Sequence, residues 1–288
     1  MYYVPDRVLD AILEEDLPYG DETMRLVGVE ALRGRVVASN KAAGTVSGIS
    51  LAARLMRHLG LCAEELANDG VSLPAGSPLL SATGSAEALH AVYKTAQVIM
   101  EYCTGISTRT RTMVDAAQAV NPHCQVALTR KHFPGTKVLS LYAATMGGGI
   151  IHRTGLSESI LVFDQHRILM DDPIARIRAV RDRSPERMIA VEVNSPEEGL
   201  AFAAAGANVI QCEKFTPEVL AQFVPTLKAQ FPAVRVVAAG GVRGDNAAQY
   251  AATGVDALVT TWPYFAPPSD IKMRFTRDDT RDDACTDE

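Results

Sequence analysis

Arg130 and Lys131, in the run Thr129-Arg130-Lys131-His132, follow an apolar stretch and put two cations side by side. His152 and Arg153 form a second cationic pair after the glycine run 147–149. Glu192 sits inside Ile189-Ala190-Val191-Glu192-Val193, where a carboxylate is costly to bury unless it is paired or metal-bound. Glu213-Lys214 ends another apolar run, and Gly240-Gly241 ends a third. Each feature has an ordinary reading: a solvated basic turn, a surface His-Arg pair, a salt-bridged structural Glu, a plain strand-to-helix turn. Together they offer four donors, two carboxylates and a glycine cradle where backbone N–H groups can meet a phosphate.

That set suits a polyanionic small-molecule substrate held partly through Mg²⁺, which favours carboxylates together with phosphate oxygens. Glu192 and Glu213 are the candidate metal ligands, and arginine suits carboxylates and phosphates through paired hydrogen bonds. The implied reaction is transfer from a sugar diphosphate. Cations stabilise the departing diphosphate and a carboxylate supports an oxocarbenium-like carbon, which makes Lys131, Glu192 and Glu213 the catalytic candidates.

Such residues must be delivered to one place. From about residue 124, β-rich runs alternate with helical ones: 125–130, 159–164, 188–193, 208–213, 235–241 and 256–261, with helices at 174–182, 196–205, 216–230 and 245–252. Pro173, Pro196 and Pro217 fall near helix starts, where proline is tolerated. Six buried strands separated by helices predict a parallel sheet. The first strand is not followed by GxGxxG, and polar residues recur at several strand ends, so an incomplete α/β barrel fits better than an open dinucleotide-binding sheet. In a barrel those strand ends share one mouth.

The first hundred residues are α+β: a short helix around Val8, Ile12 and Leu13, a strand-like run at 30–38, a helix over 48–59, and a long helix from near Glu87. Gly105-Ile106-Ser107 predicts a break before a second helix. The division expected is a small α/β domain over 1–106, completed by 265–288, and a barrel domain over 107–264. The last residues, from Thr276, read as a frayed charged tail.

With 28 basic against 34 acidic residues, the chain lacks the basic excess of a nucleic-acid binder. Five cysteines without a CxxC pair argue against a zinc ribbon or a thioredoxin-type site. The absence of a secretion-like start and of any 20-residue apolar run leads to the expectation of a cytoplasmic protein without membrane insertion.

The runs 128–166, 191–215 and 238–258, with EEDLPYGDET at 14–23, resemble type II phosphoribosyltransferases, the quinolinate phosphoribosyltransferase family. TRKH, HRTGLSES and FDQH are most similar to a branch of it associated with molybdenum transport. The resemblance implies an N-terminal α/β sandwich domain, an incomplete barrel, and a homodimer that shares its active sites. It also implies phosphoribosyl transfer from phosphoribosyl pyrophosphate to a pyridine carboxylate, with Mg²⁺. Carried over by motif, Arg130, His152 and Arg153 face the acidic acceptor. Lys131, Glu192 and Glu213 serve the diphosphate, the ribose hydroxyls and the metal, and Gly240 and Gly241 hold the 5′-phosphate.

The chain departs from the family where the acceptor would sit. A lysine expected before Asp164 is Phe163, the partner-supplied arginine is Lys94, and a glycine expected at the phosphate is Thr261. These changes point to an acceptor other than quinolinate. A non-catalytic anion-binding protein for molybdate handling is the alternative, though carboxylates at the site would repel an oxyanion. A barrel aldolase would need Lys214 as its Schiff-base lysine.

Overall fold

The computed structural model describes residues 2–29 and 32–278. Helices α1 (Asp6–Asp16) and α2 (Glu22–Val27) lead into β1 (Arg33–Asn40) and the two-residue β2 (Gly44–Thr45). Then come α3 (Ile49–His58), β3 (Cys62–Glu65), β4 (Ser72–Leu73) and β5 (Pro78–Ser85). The long helix α4 (Ala86–Val120) follows.

From there the chain runs through β6 (Gln125–Leu128), α5 (Lys137–Met146), β7 (Ile150–Ile151), β8 (Ile160–Val162), α6 (Asp164–Arg167) and α7 (Pro173–Arg183). It continues with β9 (Ile189–Val193), α8 (Pro196–Ala205), β10 (Val209–Glu213), α9 (Pro217–Gln230), β11 (Arg235–Ala239), α10 (Ala247–Ala251) and β12 (Ala257–Thr260). A 3₁₀ turn at Trp262–Phe265 precedes β13 (Ile271–Arg277).

Two compact units result. The first takes in Met1–Arg109, Pro134–Gly147 and Phe265–Glu288, so far as these are described, and the second Thr110–Phe133 and Gly148–Tyr264. The first unit is built on an antiparallel sheet ordered β13-β1-β5-β3. Its last-arriving strand, β13, pairs with β1 over Gly34↔Arg277 to Asn40↔Ile271. Thr276 and Arg277 are therefore strand residues, where the sequence suggested a frayed tail; residues 279–288 of that tail lie outside the described residues. The boundary falls within α4, and α5 groups with the first unit, which the division at 106/107 did not include.

The expected break at Gly105 is absent: α4 is continuous over 35 residues. Gly105 is there for space. A Cβ on it would stand 2.4 Å from the Pro267 carbonyl oxygen, so only glycine lets that segment pack on the helix.

The second unit is a seven-stranded parallel sheet ordered β7-β6-β12-β11-β10-β9-β8. One strand, β7, escaped the sequence reading because two residues carry no periodicity. Its helices start as the prolines suggested. Asp172, Ser195 and Thr216 each accept a backbone N–H at the helix N-terminus, and each precedes a proline in the first turn. Each cap fixes where a strand-to-helix loop ends, and so which residues stay in the loop at the mouth. Among the described residues no helix is long and apolar enough to cross a membrane.

Candidate active site

Alternate residues of a strand share a face, and the parallel register carries that alternation across the sheet. Gln211 pairs with Glu192 and Glu213 with Ala239, so the two glutamates and the residues level with them converge on one side near the carboxyl ends of the strands. A pocket of about 780 Å³ opens there. The site residues taken from the sequence that line it are Arg130, Lys131, His152, Arg153, Phe163, Glu192, Glu213, Gly240 and Gly241. Lys94 does not line it; it is an exposed residue of α4 in the first unit, bonded to Gln97 at 2.9 Å. Lys214 is not among the lining residues either, and its exposed side chain at a β10 end gives no support to the aldolase reading.

A larger cavity, about 1030 Å³, lies at the opposite ends of the same strands. Its walls are small and apolar: Ala127, Ala190, Val209, Val237 and Ala257. The carboxylate at its rim, Asp256, is already held by Lys228 and Arg235 at 2.9 Å each and by the Val236 N–H at 2.7 Å. Unspent chemistry therefore sits at the upper pocket.

Arg153 is the most telling group there. It is 7 % exposed. The Phe163 ring lies 5.3 Å from its Cζ, and the Glu158 carboxylate acts on it as an opposite charge. Burial and then the Arg130 charge lower its pKa from the usual arginine value, and the Glu158 charge opposes them. An anionic ligand would relieve the repulsion between the two guanidinium groups. Arg130 and Lys131 lack ion pairs among the described residues. His152 is held below the usual histidine range, first by burial and then by Arg153.

The opposite wall carries the carboxylates. Glu192 Oε2 accepts from Gln211 Nε2 at 2.8 Å. Burial raises the Glu192 pKa, the Gln211 bond opposes this, and the Glu213 charge adds to the rise. Two carboxylates that repel each other favour a bridging cation. Among the described residues no group of three or more His, Cys, Asp or Glu forms a metal cage. The two carboxylates alone would hold a magnesium ion only if a ligand supplied further oxygens.

Gly240 and Gly241 have φ of +83° and +84°. A Cβ on Gly240 would lie 2.6 Å from Lys214 Cγ and 2.7 Å from Glu213 Oε1, whereas one on Gly241 would meet nothing within 4 Å. Successive N–H groups in this conformation make an anion-binding concavity. The expected helix contribution is smaller than the sequence suggested. Helix α10 starts at Ala247 and has five residues, and the Arg243 N–H before it is taken by Asn246 Oδ1 at 2.7 Å.

The Phe163 ring meets Arg153 and stacks on His166 at 5.8 Å. The Phe163 N–H donates to His166 Nδ1 at 2.9 Å, which fixes this corner. Thr261 bonds Thr129 through their hydroxyls at 2.8 Å and ties β12 to β6 at the rim.

Sequence reasoning missed Gln211, Arg243 and Trp262, which also line the pocket. Gln211 was within reach, because it lies two residues before Glu213 in one strand and so shares its face.

Two family models cover the chain. Quinolinate phosphoribosyl transferase, N-terminal domain, matches residues 21–104, and Quinolinate phosphoribosyl transferase, C-terminal domain, matches residues 106–274. A relative from Pasteurella multocida, named "Putative pyrophosphorylase ModD", is 37% identical over 276 residues, covering 95% of this chain and 98% of its own. The carboxylating nicotinate-nucleotide pyrophosphorylase of Mycobacterium leprae is 32% identical over 253 residues, covering 85% of this chain and 88% of its own. Among solved structures, NadC from Streptococcus pyogenes superposes with a TM-score of 0.88 at 25% identity, covering 95% of this chain and 97% of that one.

Proposed function

Because the chain belongs to the quinolinate phosphoribosyltransferase family, we propose that it transfers a phosphoribosyl group from phosphoribosyl pyrophosphate to a carboxylate-bearing heterocycle other than quinolinate. The observation that carries this reading is Arg153, a largely buried guanidinium set against the like charge of Arg130 and beside His152 in one pocket. An anionic ligand group relieves that repulsion, and a carboxylate matches the guanidinium fork.

In the reaction, the bond between ribose C1 and the diphosphate oxygen breaks and diphosphate leaves with the electron pair. The acceptor ring nitrogen then bonds C1. Lys131 neutralises charge on the leaving diphosphate, Gly240 and Gly241 offer N–H groups to the 5′-phosphate, and Glu192 and Glu213 face the ribose, where positive charge develops. Magnesium, held by Glu192, Glu213 and substrate oxygens, would supply further neutralisation of the diphosphate. Arg153, placed by Phe163, orients the acceptor carboxylate.

A homodimer with shared sites belongs to this reading. Phe133, Leu156, Ile168 and Leu169 are exposed apolar side chains on the loops that follow β6, β7 and α6, a surface suited to a second copy. That copy would bring Lys94. Mixing Lys94→Ala chains with Arg130→Ala chains should restore activity in hybrid dimers. Molybdate carriage by the same pocket is disfavoured by Glu192 and Glu213, which would repel an oxyanion.

The decisive experiment incubates the protein with phosphoribosyl pyrophosphate, Mg²⁺ and a panel of heterocyclic carboxylates. Diphosphate release with at least one acceptor is expected. So is a rise in melting temperature with phosphoribosyl pyrophosphate and Mg²⁺, since a hundredfold excess over Kd adds about 2.7 kcal/mol. No thermal shift at millimolar concentrations would defeat the proposal.

A further inference from the structure

The chain has a single tryptophan, Trp262, and it lines the upper pocket just after β12. Its ring meets the loop 240–246 after β11, the loop that carries Gly240 and Gly241. Gly244 in that loop differs from those two. Its φ lies outside the left-handed region, so its conformation does not call for glycine. What it lacks is room. A Cβ there would stand 2.8 Å from Trp262 Cη2 and 3.1 Å from Cζ3. The benzo edge of the indole therefore rests on the loop backbone, closer than a methyl group allows.

A second tie reaches the same loop through Thr260, which is buried together with Val242. The Trp262 N–H donates to Thr260 Oγ1 at 3.1 Å, and that hydroxyl donates to the Val242 carbonyl oxygen at 2.7 Å. Asn246 holds the neighbouring peptides. Its Oδ1 takes the Arg243 N–H at 2.7 Å, and its Nδ2 donates to the Gly241 carbonyl oxygen at 3.1 Å. A peptide unit is planar, so fixing a carbonyl fixes the N–H that follows it. The Gly241 and Val242 carbonyls, which would repel an anion, are thus engaged by protein donors. Resting on the phosphoribosyl reading above, we propose that Trp262 is a positioning residue for the sugar phosphate. It pins the loop through Gly244 and, by way of Thr260, through Val242, so that the N–H groups at Gly240 and Gly241 meet the anion.

The test is calorimetric binding of ribose 5-phosphate, and separately of diphosphate with Mg²⁺, to wild type, Trp262→Phe, Trp262→Ala, Gly244→Ala and the double variant Gly244→Ala/Trp262→Ala. Trp262→Ala and Gly244→Ala should each weaken ribose 5-phosphate about tenfold, the scale of one hydrogen bond to an anion. Diphosphate, which meets Lys131 instead, should stay within about twofold of wild type. Trp262→Phe keeps a flat ring and should recover most of the lost affinity. The double variant should bind no more weakly than Trp262→Ala, because the new methyl then has no ring to push. Fluorescence reports the ring directly, and Gly244→Ala should red-shift the emission of the lone tryptophan. The inference fails if Trp262→Ala keeps wild-type affinity, if Trp262→Phe is as weak as Trp262→Ala, or if Gly244→Ala costs as much once the ring is gone. It also fails if Gly244→Ala leaves the emission unmoved, or if diphosphate weakens as much as ribose 5-phosphate, the mark of a general loss of packing. Should wild type bind neither ligand, the phosphoribosyl reading falls, and this inference with it.

Discussion

The two sides of the mouth are held in different ways. Glu192, Gln211, Glu213 and Gly240 sit on or directly after β9, β10 and β11, strands of five residues each with partners on both sides. His152, Arg153 and Phe163 follow β7 and β8, edge strands of two and three residues. The carboxylate side is therefore a fixed frame inside the sheet, and its polar groups bond one another. Of the cations, His152 and Arg153 hang from the sheet edges, with the Arg153 guanidinium against an aromatic ring, while Arg130 and Lys131 follow the interior strand β6. In this reading the reaction common to the family lies on the frame, and the choice of acceptor lies on the edge, where exchanging a residue disturbs few ladder hydrogen bonds.

Replacing Arg153 by Met should separate the sides most strongly. Acceptor affinity should fall at least about a hundredfold, within the 2–5 kcal/mol typical of a lost buried charge partner. Binding of phosphoribosyl pyrophosphate should hold, and the unliganded protein should melt no lower, because the repulsion between Arg153 and Arg130 has been removed. Loss of both ligands in calorimetry would erase the distinction. Glu213→Gln should do the reverse. kcat/KM for phosphoribosyl pyrophosphate should drop about 10–100-fold while acceptor binding persists, as steady-state kinetics in both substrates would show.

Phe163→Lys should raise quinolinate turnover about tenfold by adding a cation for a second carboxylate, and Lys94→Arg should raise it further. Efficient wild-type turnover of quinolinate with a neutral or harmful Phe163→Lys would refute the edge as the selective side. Because Phe163 also carries Arg153, Phe163→Leu should weaken any acceptor a few-fold, in line with the 0.5–1 kcal/mol of such contacts.

The smallest effect is in pH. The folded His152 pKa lies below its unfolded value, so the neutral ring dominates near pH 7. Acceptor affinity should rise as pH falls below 6.5 and the imidazole gains charge beside Arg153 and Arg130. Over the same window the unfolded state binds more protons, so unliganded stability should decline slightly. His152→Asn should flatten both profiles in a pH series of binding and melting measurements.

Six of the seven barrel strands were legible because each is a β-rich run with an apolar face and a turn signal, as in Val209–Glu213. Every residue assigned to the mouth from the barrel half does line one pocket, since strand ends in a parallel sheet share an edge of space. What escaped had no local signal. Ile150–Ile151 is too short for periodicity, and Gly105 reads as a helix breaker until Pro267 is seen against it. The turn at Gly241–Asn246 resembles a helix start because Asn246 satisfies the Arg243 N–H much as a helix cap would. Arg153's contact with Phe163 also depends on two edge strands that stand at opposite ends of the sheet although they are near in sequence, a placement for which the residues between them carry no signal.

The paired glycines after β11 set unequal limits on mutational drift. Both have left-handed φ, which costs an ordinary residue roughly 1–2 kcal/mol. At Gly241 that is the whole penalty, because a new Cβ enters open space, and asparagine would reduce it. At Gly240 a Cβ would also press on Lys214 and on the Glu213 carboxylate. The unliganded fold thus tolerates change at the second glycine while the first stays closed to it, and only ligand binding constrains position 241. A saturation library across the two codons, sorted for folded protein, should return many survivors at 241 and almost none at 240.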